Sequence, residues 1–149
     1  MSGPNPQRLV QSQAIGEMVH LMARCPVYGR YPLVAVRLYI EPAILVEQYR
    51  IYYDGNGRPV GYVTWAHLAE DVHRRLSVDN QYILKLSEWT EGPYFWIRDF
   101  LTLPGYARSV AERALRELRP DAPIYFHRRR TGAFARLCAQ RAMSHGIDE

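Results

Sequence analysis

The sequence predicts an α+β domain in which helices flank a mostly antiparallel sheet, and three observations carry that expectation. Two β-branched and aromatic runs, residues 49–53 and 58–65, bracket Asp54, Gly55, Asn56 and Gly57, residue types that tolerate the positive φ of tight hairpin turns. Segments with apolar residues at helical spacing lie on either side of that hairpin. The chain has 149 residues, 48% of them apolar, enough for one layered domain with its own core.

Taken in order, residues 1–7 read as frayed, and 8–24 set Val10, Ala14, Met18, Leu21 and Met22 near one helical face. Pro26 and Pro32 bracket a loop over 25–31, because a proline disfavours a helical residue before it. The apolar stretch 33–49, interrupted by Pro42, fits helix and strand alike. Beyond the hairpin, 66–76 reads as a helix and 81–86 as a short strand or helix end. Residues 89–102 are aromatic and extended, with Pro104 and Gly105 as punctuation. Val110, Ala114, Leu115 and Leu118 give 106–118 helical spacing; 123–126 reads as a strand, 132–143 as a final helix, and about 144–149 as frayed. No repeat or Gly/Ser/Pro linker divides the chain, so 1–149 reads as a single domain.

The composition excludes disordered, collagenous and low-complexity classes. The formal charge is +4, and Lys85 is the only lysine among 19 basic residues. A GC-rich coding sequence explains such a bias; a protein that modifies lysines and carries few targets of its own is the sharper reading. The charge favours acidic partners, such as nucleic acid or an acidic carrier protein. The arginine run lacks the interleaved aromatics of a nucleic-acid surface, and no glycine-rich phosphate cradle is present, so nucleic acid is not the expected partner. Two cysteines, Cys25 and Cys138, cannot build a disulfide framework, which favours a reducing cytoplasm. The first residues lack the basic-then-apolar pattern of a secretory signal, and no apolar stretch reaches the ~18–20 residues of a membrane span.

Candidate chemistry is sparse. His20, His67, His73, His127 and His145 show no zinc-helix spacing, so no metal site is expected. His73 and His145 sit among polar residues and read as surface groups, His20 falls on a helix, and His127 stands at a strand end. Arg128, Arg129 and Arg130 precede Thr131, Gly132 and the expected last helix. They suggest an anion site for the phosphate of CoA or phosphopantetheine, with a solvated basic turn as the equal alternative. Asp99 stands in an aromatic run, 94–101, where a carboxylate is costly unless paired. Strand alternation puts Arg98 on the opposite face, so it is not the expected partner. Such a carboxylate either orients a catalytic group or anchors a structural hydrogen bond.

A set of motifs then points to a family. Cys25-Pro26 with Tyr31-Pro32 is followed by Pro42-Ala43-Ile44 and Gln48-Tyr49, then by the run from Pro59 through Gly61, Tyr62, Thr64, Trp65 and His67 to Leu68. Trp89-Thr90-Glu91-Gly92, Trp96-Ile97-Arg98-Asp99-Phe100 and Pro104-Gly105 complete it. With these, the chain resembles the RTX toxin-activating lysine acyltransferases from about Ile15 to Leu137. The resemblance implies a GNAT-like fold, often dimeric, and transfer of a fatty acyl group from acyl-carrier protein to a lysine ε-amine, with no permanently bound cofactor. It implies a catalytic histidine and aspartate. The aspartate maps onto Asp99, while the histidine's place is taken by Tyr28, a family serine by Cys25 and a family asparagine by Tyr39.

Three readings follow from those departures. In the first, Tyr28 is general acid or hydrogen-bond donor and Asp99 orients the amine, with His20 or His127 as a displaced base and Tyr31, Tyr39 and the three arginines at 128–130 binding acyl-ACP or acyl-CoA. In the second, Cys25 accepts the acyl group, although a thiol just past a helix C-terminus gets no help from the dipole. In the third, the chain is an inactive relative that binds an acyl-carrier protein or a peptide. The expected acceptor is a lysine-bearing protein or ribosomal peptide, and the expected assembly a homodimer.

Overall fold

The computed structural model describes residues 2–118 and 121–128 and the backbone of 134–137. The described strands form one five-stranded sheet with neighbours in chain order: β1 (Tyr49–Tyr53), β2 (Pro59–Leu68), β3 (Tyr94–Thr102), β4 (Ile124–His127) and β5 (Phe134–Leu137). Every pairing between these strands is antiparallel except β3 with β4, which run parallel. A parallel pair needs a crossover, and helix α4 (Ala107–Leu118) lies within it.

Helices α1 (Pro6–Arg24), α2 (Glu41–Leu45) and α3 (Glu70–Val78) cover one face of the sheet. There Tyr62 and Leu101 pack with Met18, Leu21, Ile40 and Ile44, and Leu68 and Trp96 with Ala43, Val72 and Leu76. On the other face α4 lays Val110 and Ala114 on Tyr52, Val60 and Val63. The result is an α+β layered domain, as the sequence predicts.

Local chemistry sets the element ends. Asn5 accepts a hydrogen bond from the Gln7 amide at 2.8 Å and Pro6 opens the helix, so α1 starts within the stretch expected to fray. The ambiguous stretch 33–49 contains a π turn, Val36–Ile40, that runs directly into α2, with Pro42 as the second residue of α2. Glu47, at φ 57°, then turns the chain into β1. In the hairpin loop Asp54 accepts from the amides of Asn56 and Arg58, and Gly57 takes φ 74°.

Four expectations are corrected. Residues 66–68 continue β2, because Ala66, His67 and Leu68 find ladder partners in Trp96, Phe95 and Tyr94; the helix starts only at Glu70. Residues 81–86 are not a strand, and Leu86–Trp89 is a 3-10 turn whose Glu88 carboxylate accepts from the Lys85 amide and from Tyr82. His73 is no loose surface group. It is half-buried, stacked on Tyr94 with ring centroids 3.9 Å apart, and accepts the Trp96 indole N–H at Nδ1. Finally, 134–137 is strand rather than helix. Pairing with β4 satisfies backbone groups that would otherwise form an open edge, and tertiary pairing outweighs local helical spacing. Residues 138–143 of the expected last helix, and 144–149, lie outside the described residues.

Candidate active site

The β2–β3 ladder is the frame of the site. Thr64 pairs with Asp99 but Trp65 pairs with Ile97, so Arg98 is an extra residue in a β-bulge. A bulge re-aims side chains and suspends strict alternation. Trp96 belongs to the α1–α3 face and Ile97 to the α4 face, so the next alternation gives Arg98 to the α1–α3 face. Asp99 is there too, since it meets Tyr62. The expectation that Arg98 points away from Asp99 is therefore overturned, and a charged pair of neighbours shares one face.

Asp99 is half-buried and held from two elements. The Tyr28 hydroxyl donates to its Oδ1 and the Tyr62 hydroxyl to its Oδ2, the latter at 3.2 Å. Tyr28 opens a 3-10 turn, Tyr28–Arg30, folded back on the end of α1: the Gly29 amide donates to Cys25 O at 2.8 Å, and a Cβ on Gly29 would lie 3.0 Å from Ala23 O. Two hydroxyl donors suit an ionised carboxylate, which only accepts. Thr64, across the ladder from Asp99, is fully buried and its Oγ1 has no hydrogen-bond partner among the described residues.

Arg98 completes the electrostatics. Its Nε is buried without a hydrogen-bond partner among the described residues. Burial pulls its affinity for the proton below the usual guanidinium range, while the charge of Asp99, and secondarily Tyr39, pulls the other way. His127 feels the same guanidinium. Desolvation lowers its pKa first, its ring nitrogen 2.8 Å from Leu76 O raises it, and Arg98 lowers it.

The other expected site residues lie around this centre or away from it. The Tyr31 ring lies 5.1 Å from that of Tyr28, and Tyr39 lies in the field of Arg98; both are exposed. Cys25 caps α1 as a free, half-buried thiol packed against the α1 core rather than joined to Asp99 by any described hydrogen bond. His20 is exposed on α1 and His127 is fastened to α3 through Leu76, while the hydrogen bonds described on Asp99 include those from Tyr28 and Tyr62. Arg128 is exposed past β4, whereas Arg129 and Arg130 lie outside the described residues. The helix N-terminus expected beside these arginines is absent at 134–137, where the chain is β5. Among the described residues no group of three His, Cys, Asp or Glu side chains is placed to hold a metal ion, and no helix is long and apolar enough to cross a membrane.

Sequence reasoning missed Tyr62, Thr64 and Arg98 as neighbours of Asp99. Their signal is the bulged register, which appears only when β2 and β3 are laid side by side.

An α+β layered domain with a tyrosine-held carboxylate on its sheet is a frame for chemistry at one acidic group. Which frame is settled by comparison: the chain matches the RTX toxin acyltransferase family over residues 7–139 and belongs to that family. It is 27% identical over 108 residues to an uncharacterised protein of Synechocystis sp., covering 72% of this chain and 73% of that one. It is 28% identical over 98 residues to the lysine-acyltransferase RtxC of Vibrio cholerae, covering 66% and 63% of the two chains. To the RTX-II toxin-activating lysine-acyltransferase ApxIIC of Actinobacillus pleuropneumoniae it is 29% identical over 87 residues, 58% of this chain and 53% of that one. The matches thus span less than two thirds of the length of these two lysine-acyltransferases.

Proposed function

We propose that this protein transfers a fatty acyl group from a thioester donor, acyl-carrier protein or acyl-CoA, to a lysine ε-amine of a protein or ribosomal peptide. The observation that carries the reading is Asp99, held by Tyr28 and Tyr62 beside Arg98, in a chain of an acyltransferase family.

The chemistry follows from the groups present. A lysine amine near pKa ~10.4 is mostly protonated at neutral pH, so a carboxylate first draws the ammonium in and passes one of its protons to solvent, leaving a neutral amine beside an ionised Asp99. The amine nitrogen attacks the thioester carbonyl, a C–N bond forms and the carbonyl becomes an oxyanion. As it collapses the C–S bond breaks, and the amine's proton passes to Asp99. Tyr28 protonates the departing thiolate, and Asp99 returns a proton to Tyr28 across the hydrogen bond that joins them. The products are an amide and a free thiol, and both residues are restored. Nothing in this cycle requires a permanently bound cofactor.

One observation favours the third reading, an inactive relative that binds carrier or peptide: the Tyr28 hydroxyl already occupies Asp99. Intact mass spectrometry of a lysine-bearing acceptor co-expressed with the wild-type chain or with Asp99→Ala separates the two. The transferase reading expects a fatty-acyl mass shift on a lysine, lost with Asp99→Ala. Absence of any shift, together with binding of acyl-carrier protein, establishes the inactive relative. A hydroxylamine-labile adduct on this chain, absent from Cys25→Ala, would move the acyl group through Cys25 instead. A homodimer in the cytoplasm is the assembly and setting we propose alongside.

A further inference from the structure

Beside the site lies a stretch of surface that is basic and apolar together. Between Glu17 and Glu41 the sequence contains no acidic residue, while Arg24, Arg30 and Arg37 stand exposed. Within the same stretch Val27, Tyr31, Leu33, Val34 and Tyr39 are exposed apolar or aromatic side chains, Leu33 at 84% and Val34 at 52%. Grouped exposed apolar side chains mark interaction surfaces, whereas scattered ones do not. This group is tied to the site through the Tyr28–Tyr31 ring contact and through Tyr39 in the field of Arg98.

We propose that residues 24–37 form the docking surface for an acidic carrier protein that presents the acyl thioester to Asp99. This rests on the acyl-transfer reading. The occupant is chosen by charge: apolar side chains among arginines, on a segment with no carboxylate of its own, complement an acidic protein with an apolar contact patch and steer its approach. A second copy fits less well, because a two-fold contact through this patch sets Arg30 and Arg37 against their own copies. A carrier seated here delivers its thioester beside Tyr28, where the proposed chemistry needs it.

Titration calorimetry of the full chain with palmitoyl-loaded acyl-carrier protein tests the proposal. The pair Arg30→Glu and Arg37→Glu is expected to weaken Kd about tenfold or more, a loss of ~1.4 kcal/mol or greater. Leu33→Asp is expected to weaken it as well. The pair Arg74→Glu and Arg108→Glu changes net charge equally on α3 and α4 and should leave Kd within about twofold. Raising NaCl from about 50 to about 300 mM should weaken the wild type and not the Arg30/Arg37 variant. Circular dichroism checks folding, and the milder Arg30→Gln serves if charge reversal unfolds the chain. An unchanged Kd in the Arg30/Arg37 variant, or an equal loss in the control pair, overturns the proposal. So does light scattering in which Leu33→Asp turns a dimer into a monomer while carrier affinity stays the same, since the face would then belong to a second copy. Acyl transfer measured in parallel keeps the two readings apart: carrier binding without transfer sinks the enzyme and leaves the docking surface standing. Transfer from the carrier with binding indifferent to Arg30, Leu33 and Arg37 does the reverse.

Discussion

At Asp99 the two tyrosines do different work although each donates one hydrogen bond. Tyr62 is fully buried in the core and can only hold the carboxylate, while half-buried Tyr28 sits on a turn at the surface and can also give up a proton. Tyr28→Phe is therefore expected to lower acyl transfer about 10²-fold with the fold intact, the scale of a lost general acid, and Tyr62→Phe far less. Single-turnover transfer from acyl-carrier protein reads both. Arg98→Met removes the positive charge beside the carboxylate and leaves Asp99 easier to protonate. Its activity should fall first at the acid end of the pH–rate profile, with the alkaline end preserved. Asp99 was legible in the sequence because a carboxylate in an aromatic run needs a reason. Arg98 was misread because alternation assumes an unbroken ladder, and one extra residue moves it to the other face. Tyr62 was hidden for a different reason: a tyrosine in a strand looks like any core aromatic until its register is known.

Among the elements, the connection from Trp89 to β3 is held by contacts that local pattern does not announce. Buried Gln48 donates both amide hydrogens, to Trp65 O and Trp89 O, each at 3.0 Å, and so fastens β2 to the 3-10 turn. Gln48→Ala should cost about 1–3 kcal/mol in urea denaturation, the penalty of leaving buried carbonyls unpaired. Gly92 packs closer still: a Cβ there would lie 2.3 Å from Leu68 O and 2.5 Å from the Ala69 N and Cα, backbone atoms that cannot swing aside as a side chain can. Gly92→Ala should displace the entry to β3, visible as a lower Tm and weaker protection of the β3 amides from exchange. The hairpin could be read from the chain because its determinants, Asp54 and Gly57, lie within the turn itself. The strand at 134–137 could not, because its partner is β4 and nothing local distinguishes it from a helix.

For the whole molecule, pH acts through histidines on the two faces of the sheet. Burial lowers the pKa of His67, His73 and His127 below 6.5. Between 6.5 and those lowered values the unfolded chain holds more protons than the folded one, so stability rises with pH across that window and levels off above it. Thermal denaturation should show Tm falling as pH drops from about 7 toward about 5, beyond what the carboxylates alone produce. His73→Gln, which keeps a polar group near the Trp96 indole, should flatten part of that slope. The layered class was legible because helical and strand periods alternate along the chain. The division of helices, three against one face and α4 against the other, was not, since it depends on which side each connection takes.

The bulge at Arg98 also has a meaning for how such a sheet can change. Thr64 faces Asp99 and Trp65 faces Ile97, so the two halves of the ladder are offset by the one residue between them. Excising Arg98 would bring both halves of β3 into a single frame, leaving every remaining side chain on the face it already occupies. Position 98 is thus a splice point: the strand can gain or lose a residue there, and with it a charge next to the carboxylate, without re-threading the core.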